Sequence, residues 1–113
     1  MNYKEYQNKN GQLIRKWSDG SQEWRLNGAL HRLDGPAYKD ADGTELYCLH
    51  GRPHRLKGPA IIWYDGLKQW KLYGKDMPQK LHYALTKGPK RNLLLLMGQG
   101  YDEIIEARLK GLL

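Results

Sequence analysis

A motif repeated 23 residues apart constrains this chain more than any other feature of its sequence. The segment GALHRLDGPA spans residues 28–37, and the segment GRPHRLKGPA spans residues 51–60. Asp-Gly pairs recur with the same offset at residues 19–20, 42–43 and 65–66. Self-similarity at a short fixed period is typical of repeat arrays, in which each unit buries its apolar face against its neighbours. We therefore expect stacked copies of one supersecondary unit.

Each unit has the pattern of a β-hairpin. Asp-Gly between two extended segments favours a tight turn, because glycine adopts a positive φ without steric cost. In the strand after each turn, an aromatic residue and a leucine alternate with polar residues, which places both on one face of the sheet. The pattern predicts two structural ladders across the units, one of Trp24, Tyr47 and Trp70 and one of Leu26, Leu49 and Leu72.

This unit resembles the MORN repeat, and more closely the divergent MORN-like repeats, written HRxDGPA, of small bacterial and bacteriophage proteins. The resemblance covers residues 10–76 and consists of the period, the Gly-x-x-His spacing and the aromatic residue after Asp-Gly. Arg32 and Arg55 depart from the standard pattern, in which glycine usually follows the histidine, and Met77-Pro78 replaces His-Arg in the third unit. The first unit has no HR motif. The resemblance implies an antiparallel sheet of hairpins that serves as an interaction scaffold.

Residues after Gly74 follow a helical pattern instead. The segments QKLHYALTKG, PKRNLLLLMGQG and DEIIEARLKGLL predict three short helices, and Gly88-Pro89 separates the first two. The last unit of a repeat array has an apolar face with no neighbouring unit to bury it. We expect residues 93–96 to pack against this face of the last hairpin and act as its plug. The alternative is that the helices form a surface that binds a partner. The predicted fold class is α+β, a single domain over residues 1–113. It comprises MORN-like antiparallel hairpins over residues 10–76 and a helical cap over residues 77–113.

His31 and His54 occupy the same position in successive units, and an arginine follows each of them. Two such histidines suggest a metal pair or an acid–base pair, and therefore a hydrolase. No cysteine, third histidine or carboxylate stands at a metal-ligand spacing from them, however. Residues that recur with a repeat usually have structural roles, so we predict that His31 and His54 each bond a turn backbone and pack on the aromatic ladder. Arg32 is also assigned a structural role, and a pair with Asp34 within one turn is the contact considered for it. We expect no metal and no cofactor.

Cys48 is the only cysteine, which excludes an intramolecular disulfide. A cysteine nucleophile requires a histidine base, and His50 lies two residues away on the same face of the predicted strand. The alternative is an inert strand cysteine, which is the interpretation that we adopt.

The net charge of +7 is distributed unevenly along the chain. Residues 1–45 are neutral, whereas residues 46–91 contain ten basic and two acidic residues. A surface of one sign attracts an anionic partner, although dispersed lysines also serve solubility alone. The predicted partner-binding or anion-binding residues are Arg52, Arg55, Lys57, Lys68, Lys71 and Lys75.

The chain contains no phosphate-binding loop, nucleophile elbow or zinc-protease motif, and we predict a non-enzymatic protein. The resemblance implies a binding module that sequesters or inhibits a macromolecular partner, in the form of toxin neutralisation or the blocking of a host defence. The expected partner is a protein with an acidic surface, and the alternative is a basic accessory protein that binds RNA or DNA. No apolar segment suits a secretory signal or a membrane span, so we expect a cytoplasmic protein.

Overall fold

In the computed structural model, which describes residues 2–113, antiparallel strands are followed by short helices. The strands are β1 (Tyr3–Gln7), β2 (Leu13–Trp17), β3 (Gln22–Leu26), β4 (Ala29–Leu30), β5 (Tyr38–Lys39), β6 (Glu45–Leu46), β7 (Cys48–Leu49), β8 (Arg52–Pro53), β9 (Ile61–Ile62), β10 (Lys68–Leu72) and β11 (Lys75–Met77). The helices are α1 (Gln79–Lys87), α2 (Lys90–Leu93), which continues into a 3-10 turn over Leu94–Leu96, and α3 (Asp102–Leu109). The predicted α+β class, a large antiparallel sheet of hairpins with three short helices, is confirmed.

Successive units extend one sheet. Its strands pair antiparallel in the order β1-β2-β3-β5-β6-β9-β10-β11, β4 pairs with β3 beside this path, and β7 and β8 form a separate ribbon. The units join where β3 pairs with β5 and β6 pairs with β9. At each junction the alanine that ends the motif is fully buried, at residues 37 and 60. The result is an elongated molecule of 51 × 33 × 18 Å.

Each unit contains two turns, of which the Asp-Gly turn was predicted. There Asp19, Asp42 and Asp65 each accept a hydrogen bond from the backbone N–H two residues later, at 2.9–3.0 Å. The second turn consists of the pairs Asn27-Gly28, His50-Gly51 and Tyr73-Gly74, in which both residues have a positive φ. Two consecutive residues of positive φ make the hairpin turn whose twist matches that of the flanking strands. This turn folds β4, β8 and β11 back onto the strands that precede them.

The main apolar core lies between the last hairpin and the helices. It consists of Leu72, Met77, Leu85, Leu93, Ile104 and Ile105. Of the four leucines predicted as the plug, Leu93 is buried and Leu96 packs against this cluster, whereas Leu94 and Leu95 are 64% and 75% exposed. The reason is helical geometry, since residues at adjacent positions of so short a segment cannot all face one side.

Helix α3 is tied to the end of α1 by one side chain. The guanidinium of Arg108 donates to the carbonyl oxygens of Leu85 and Gly88, both at 2.8 Å. Carbonyls at the end of a helix have no partner within it, so this contact satisfies them. Within residues 2–113, no helix has the length and apolar content that crossing a bilayer requires.

Candidate functional site

The two recurring histidines each hold the second turn of the next unit. Nδ1 of His31 accepts a hydrogen bond from the backbone N–H of His50 at 2.9 Å, and Nδ1 of His54 accepts one from Tyr73 at 2.8 Å. The ring of His54 stacks on that of Tyr73, with centroids 4.4 Å apart, and the ring of His31 is tilted by 32° to that of His50, with centroids 4.2 Å apart. Both histidines therefore make the expected turn contacts, but the ring pairs that they form in residues 2–113 are with His50 and Tyr73 and not with the aromatic ladder.

These contacts require neutral imidazole rings, because a nitrogen that accepts a hydrogen bond carries no proton. Burial, and then the nearby charge of Arg52, lowers the pKa of His54 to about 4. Burial, and then the charge of His50, also lowers the pKa of His31. Both rings are consequently neutral acceptors at physiological pH.

The arginine of each motif lies on the aromatic ladder. The guanidinium of Arg32 is 3.8 Å from the centroid of the Trp24 ring, and that of Arg55 is 3.8 Å from the Tyr47 ring. Each Nη1 also donates to a proline carbonyl at 3.3 Å, at residue 36 or 59. Trp70, the third member of the ladder, carries no arginine and packs against the main core instead. We call residues 31–37 and 54–60 the first and second HR loops.

The glycine of each HR loop makes room for the guanidinium. A Cβ atom at Gly35 would lie 2.8 Å from the Arg32 guanidinium carbon, and one at Gly58 would lie 3.0 Å from Nη1 of Arg55. Neither glycine has a positive φ, so the close approach, and not the backbone conformation, explains its presence. The motif His-Arg-x-x-Gly-Pro-Ala is thus accounted for by contacts within the fold.

The two HR loops differ in charge. Nε of Arg32 donates to Oδ1 of Asp34 at 2.9 Å, and this hydrogen bond lowers the pKa of the Asp34 carboxyl. The residue 23 positions later is Lys57. Arg55 has no carboxylate within salt-bridge distance in residues 2–113. The second HR loop therefore presents two positive charges where the first is neutral.

A cleft of about 520 Å³ lies between the two HR loops. Arg32 and Asp34 of the first HR loop and Arg55 and Lys57 of the second all line it. Its walls also include the apolar and aromatic side chains of Tyr47, Leu49, Leu56, Tyr73 and Leu112. The cleft thus combines an apolar lining with a net positive charge.

Cys48 also lines this cleft but is only 3% exposed. Burial raises the pKa of its thiol to about 11, so the thiolate is scarce at neutral pH. The ring of His50, the candidate base, lies against that of His31 instead, with centroids 4.2 Å apart. No hydrogen bond links the side chains of Cys48 and His50 in the described part of the chain.

Within residues 2–113, no group of three or more His, Cys, Asp or Glu side chains is placed to hold a metal ion.

The other predicted contact residues have different environments. Arg52 forms a two-point ion pair with Glu103 of α3, at 3.0 and 3.2 Å, and Lys71 pairs with Asp76 at 3.7 Å. The ammonium of Lys75 lies 5.5 Å from the centroid of the Tyr101 ring. Lys57 and Lys68 are exposed and make no ion pair in the described chain. The pairing of Arg52 with Glu103 was not predicted, because no local pattern links residues 51 positions apart.

Ion pairing differs between residues 2–45 and residues 46–91. In residues 2–45 three of the seven basic residues, the arginines at positions 15, 25 and 32, contact a carboxylate, and the four lysines do not. In residues 46–91, which we call the basic region, only Arg52 and Lys71 do so, and the other eight basic residues have no ion pair in residues 2–113. The sequence predicted the excess of charge, and in the described chain only Glu103, which pairs with Arg52, neutralises part of it from outside the basic region.

The third Asp-Gly turn carries exposed apolar side chains. Trp63, Tyr64 and Leu67 are 39%, 69% and 61% exposed, and Lys68 follows them. Nε1 of Trp63 donates to the side chain of Gln69 at 2.8 Å, which fixes the ring at the surface.

Comparison with protein-family models, curated proteins and solved structures found no match to this chain.

Proposed function

We propose that this chain is a non-enzymatic binding module that sequesters an acidic partner protein through its basic region. The observation that carries the proposal is the uncancelled charge of the basic region: eight of its ten basic residues make no ion pair in residues 2–113 and only two acidic residues accompany them, whereas seven acidic residues balance the seven basic ones in residues 1–45. Like-signed charges on one part of a surface accelerate association with an oppositely charged partner and disfavour partners of the same charge.

The roles of the polar residues in the sheet also support binding over catalysis. His31, His54, Arg32 and Arg55 contact backbone groups and aromatic rings of the repeat. Interactions that are already formed in the free protein hold a surface in its bound shape and reduce the entropy lost on association. The resemblance to bacterial and phage MORN-like proteins supports a toxin or a defence protein as the sequestered partner, and this step is an analogy of fold.

The test is capture of partners from the cells in which the chain is produced, after nuclease treatment and at several salt concentrations. Wild type is compared with Lys68→Glu/Lys80→Glu, in the basic region, and with Lys9→Glu/Lys39→Glu, in the neutral half. All four lysines are exposed, so both variants should fold. We expect the first variant to recover about fourfold less of a stoichiometric protein partner, since each exposed ion pair contributes about 0.2–1 kcal/mol. Equal recovery with both variants would contradict the proposal.

Binding of RNA or DNA is the second candidate, and the exposed aromatic residues at the third Asp-Gly turn favour it. Bases stack on exposed rings such as that of Tyr64 while nearby lysines contact phosphates. Affinity for a single-stranded oligonucleotide should then fall steeply with salt and fall again in Tyr64→Ala. Nuclease treatment distinguishes the candidates, because it would remove a nucleic-acid partner from the capture and leave a protein partner in place.

A further inference from the structure

The first HR loop shows which anion this guanidinium arrangement binds. Arg32 is positioned by the Trp24 ring and by the carbonyl of Pro36, and its Nε then donates to the carboxylate of Asp34. The Asp34 side chain is 81% exposed, so its carboxylate approaches the arginine from the solvent side. The chain therefore contains its own example of a carboxylate bound at an HR loop.

The second HR loop presents the same arrangement without that carboxylate. Arg55 lies 3.8 Å from the Tyr47 ring and 3.3 Å from the Pro59 carbonyl, the distances found for Arg32. Lys57 occupies the position of Asp34 and adds a second cation. The arginine has the same geometry whether aspartate (Asp34) or lysine (Lys57) follows it two residues later. The loop therefore does not need Lys57 in order to fold.

The cleft beside Arg55 and Lys57 is large enough for a side chain and its neighbours. Its volume of about 520 Å³ lies within the range of about 300–1,000 Å³ usual for ligand sites. The apolar walls suit a methylene stem, and the two cations of the second HR loop suit a terminal carboxylate. Stacking already fixes the guanidinium of Arg55, so little side-chain entropy is lost when it binds an anion.

We infer that this cleft binds a carboxylate side chain, from an acidic peptide segment, against Arg55 and Lys57. The inference rests on the proposed function, because the segment belongs to the acidic partner. A peptide carboxylate is the occupant that the internal example supports, since Asp34 makes the equivalent contact from a peptide chain.

A fluorescein-labelled octaglutamate peptide is the probe, and its affinity is measured by fluorescence anisotropy at low salt. Lys57→Asp should weaken binding about tenfold or more, because it removes one cation and supplies Arg55 with an internal carboxylate. Lys68→Asp is the matched control, with the same change in charge at an exposed lysine outside the cleft lining, and should weaken binding about twofold. Both variants should fold, Lys57→Asp because the first HR loop already has aspartate there.

The ¹H–¹⁵Nε NMR signals of the arginines identify the binding atoms. The peptide should shift the signal of Arg55 and leave that of Arg32 unchanged, because Arg32 is already bonded to Asp34. In Asp34→Lys the signal of Arg32 should become responsive as well. Acetate, at the same total carboxylate concentration, should shift the Arg55 signal much less, which separates a peptide segment from a free carboxylate.

The outcomes separate this inference from the proposed function. Two outcomes would overturn the cleft site: an equal loss of peptide affinity in Lys57→Asp and Lys68→Asp, or an Arg55 signal that the peptide does not shift. Neither outcome excludes binding of the peptide elsewhere on the basic region. An equal response to acetate would overturn the peptide segment as occupant. Failure of wild type to bind the peptide would overturn the cleft site, whereas the proposed function is judged separately by the capture experiment.

Discussion

The first and second HR loops have the same internal contacts in different surroundings. Both place a histidine under the next turn and an arginine on an aromatic ring, with nearly identical distances. At the position after the arginine, however, Leu33 is 83% exposed, whereas Leu56 packs against the main core. The carbonyl of Arg55 also accepts a hydrogen bond from Nε2 of His82 in α1, at 2.6 Å. The second loop is therefore part of the junction with the helices.

This comparison separates the residues that build a unit from those that give it a local role. The shared residues make contacts between neighbouring units, and such contacts are the source of stability in a repeat array. The residues that differ, such as Asp34 against Lys57, face the cleft or the helices. Four predictions test this separation, in order of decreasing expected effect.

Removal of residues 88–113 should abolish cooperative folding and lead to aggregation with residual β-structure. The truncation exposes Leu72, Met77 and Leu85, and the loss should exceed about 5 kcal/mol, which is the whole stability of many small domains. Size-exclusion chromatography and circular dichroism provide the measurement. The control is removal of residues 1–7, which takes away β1, a strand whose residues are all exposed. A soluble, cooperatively unfolding chain without residues 88–113 would show that α2, α3 and the turn between them do not stabilise the hairpins.

Leu56→Ala should reduce the free energy of unfolding by about 2–3 kcal/mol, because it removes a side chain that packs against the main core. Leu33→Ala, at the equivalent position of the first loop, should change it by less than about 0.5 kcal/mol, since that side chain is exposed. Urea denaturation of both variants gives the comparison. Similar losses in the two variants would mean that both loops are packed equally.

Stability should fall as the pH is lowered from about 6.5 to about 4. The unfolded state takes up a proton on His54 near the ordinary histidine pKa of 6.5, but the folded state does so only near 4. The unfolded state therefore binds more protons in this window, and acid favours it. After allowance for the partial solvent exposure of His54, its protonation should lower the free energy of unfolding by about 2 kcal/mol.

Urea denaturation at pH 7 and pH 4.5 measures this loss. His54→Asn retains an acceptor for the Tyr73 N–H but does not titrate, so its stability should depend less on pH than that of wild type. Arg52, His82 and Glu103, the charged or titratable groups that affect His54, are unchanged in this variant. Parallel pH profiles of wild type and His54→Asn would refute the assignment.

Gly35→Ala and Gly58→Ala should have the smallest effects, about 1 kcal/mol each. In both, the new methyl group would displace the guanidinium from its ring and remove a cation–π contact. Nearly equal losses in urea denaturation would support a shared loop geometry. A loss confined to one variant would indicate that the two arginines are held by different interactions.

Much of the array could be predicted from the 23-residue period alone. The Asp-Gly turns, the alternation in β3 and β10 and the helical segments all follow from local sequence patterns. The turn at Asn27, His50 and Tyr73 was not predicted. Asn-Gly at residues 27–28 is a typical pair for such a turn, but His-Gly and Tyr-Gly are not, so residue type does not mark the turn in every unit. The glycine that follows each of the three residues, at the same period, is the signal that they share.

The sequence by itself determined the repeat, the position of each HR motif and the charge asymmetry between the two halves, because these depend on residues close together along the chain. Only the tertiary structure decided which charges are neutralised and which remain free. Arg52 meets Glu103 across 51 positions, and Arg55, three residues from it, meets a ring and a carbonyl instead. Ion pairing depends on distance through space, and that distance is set by how the helices pack against the last hairpin.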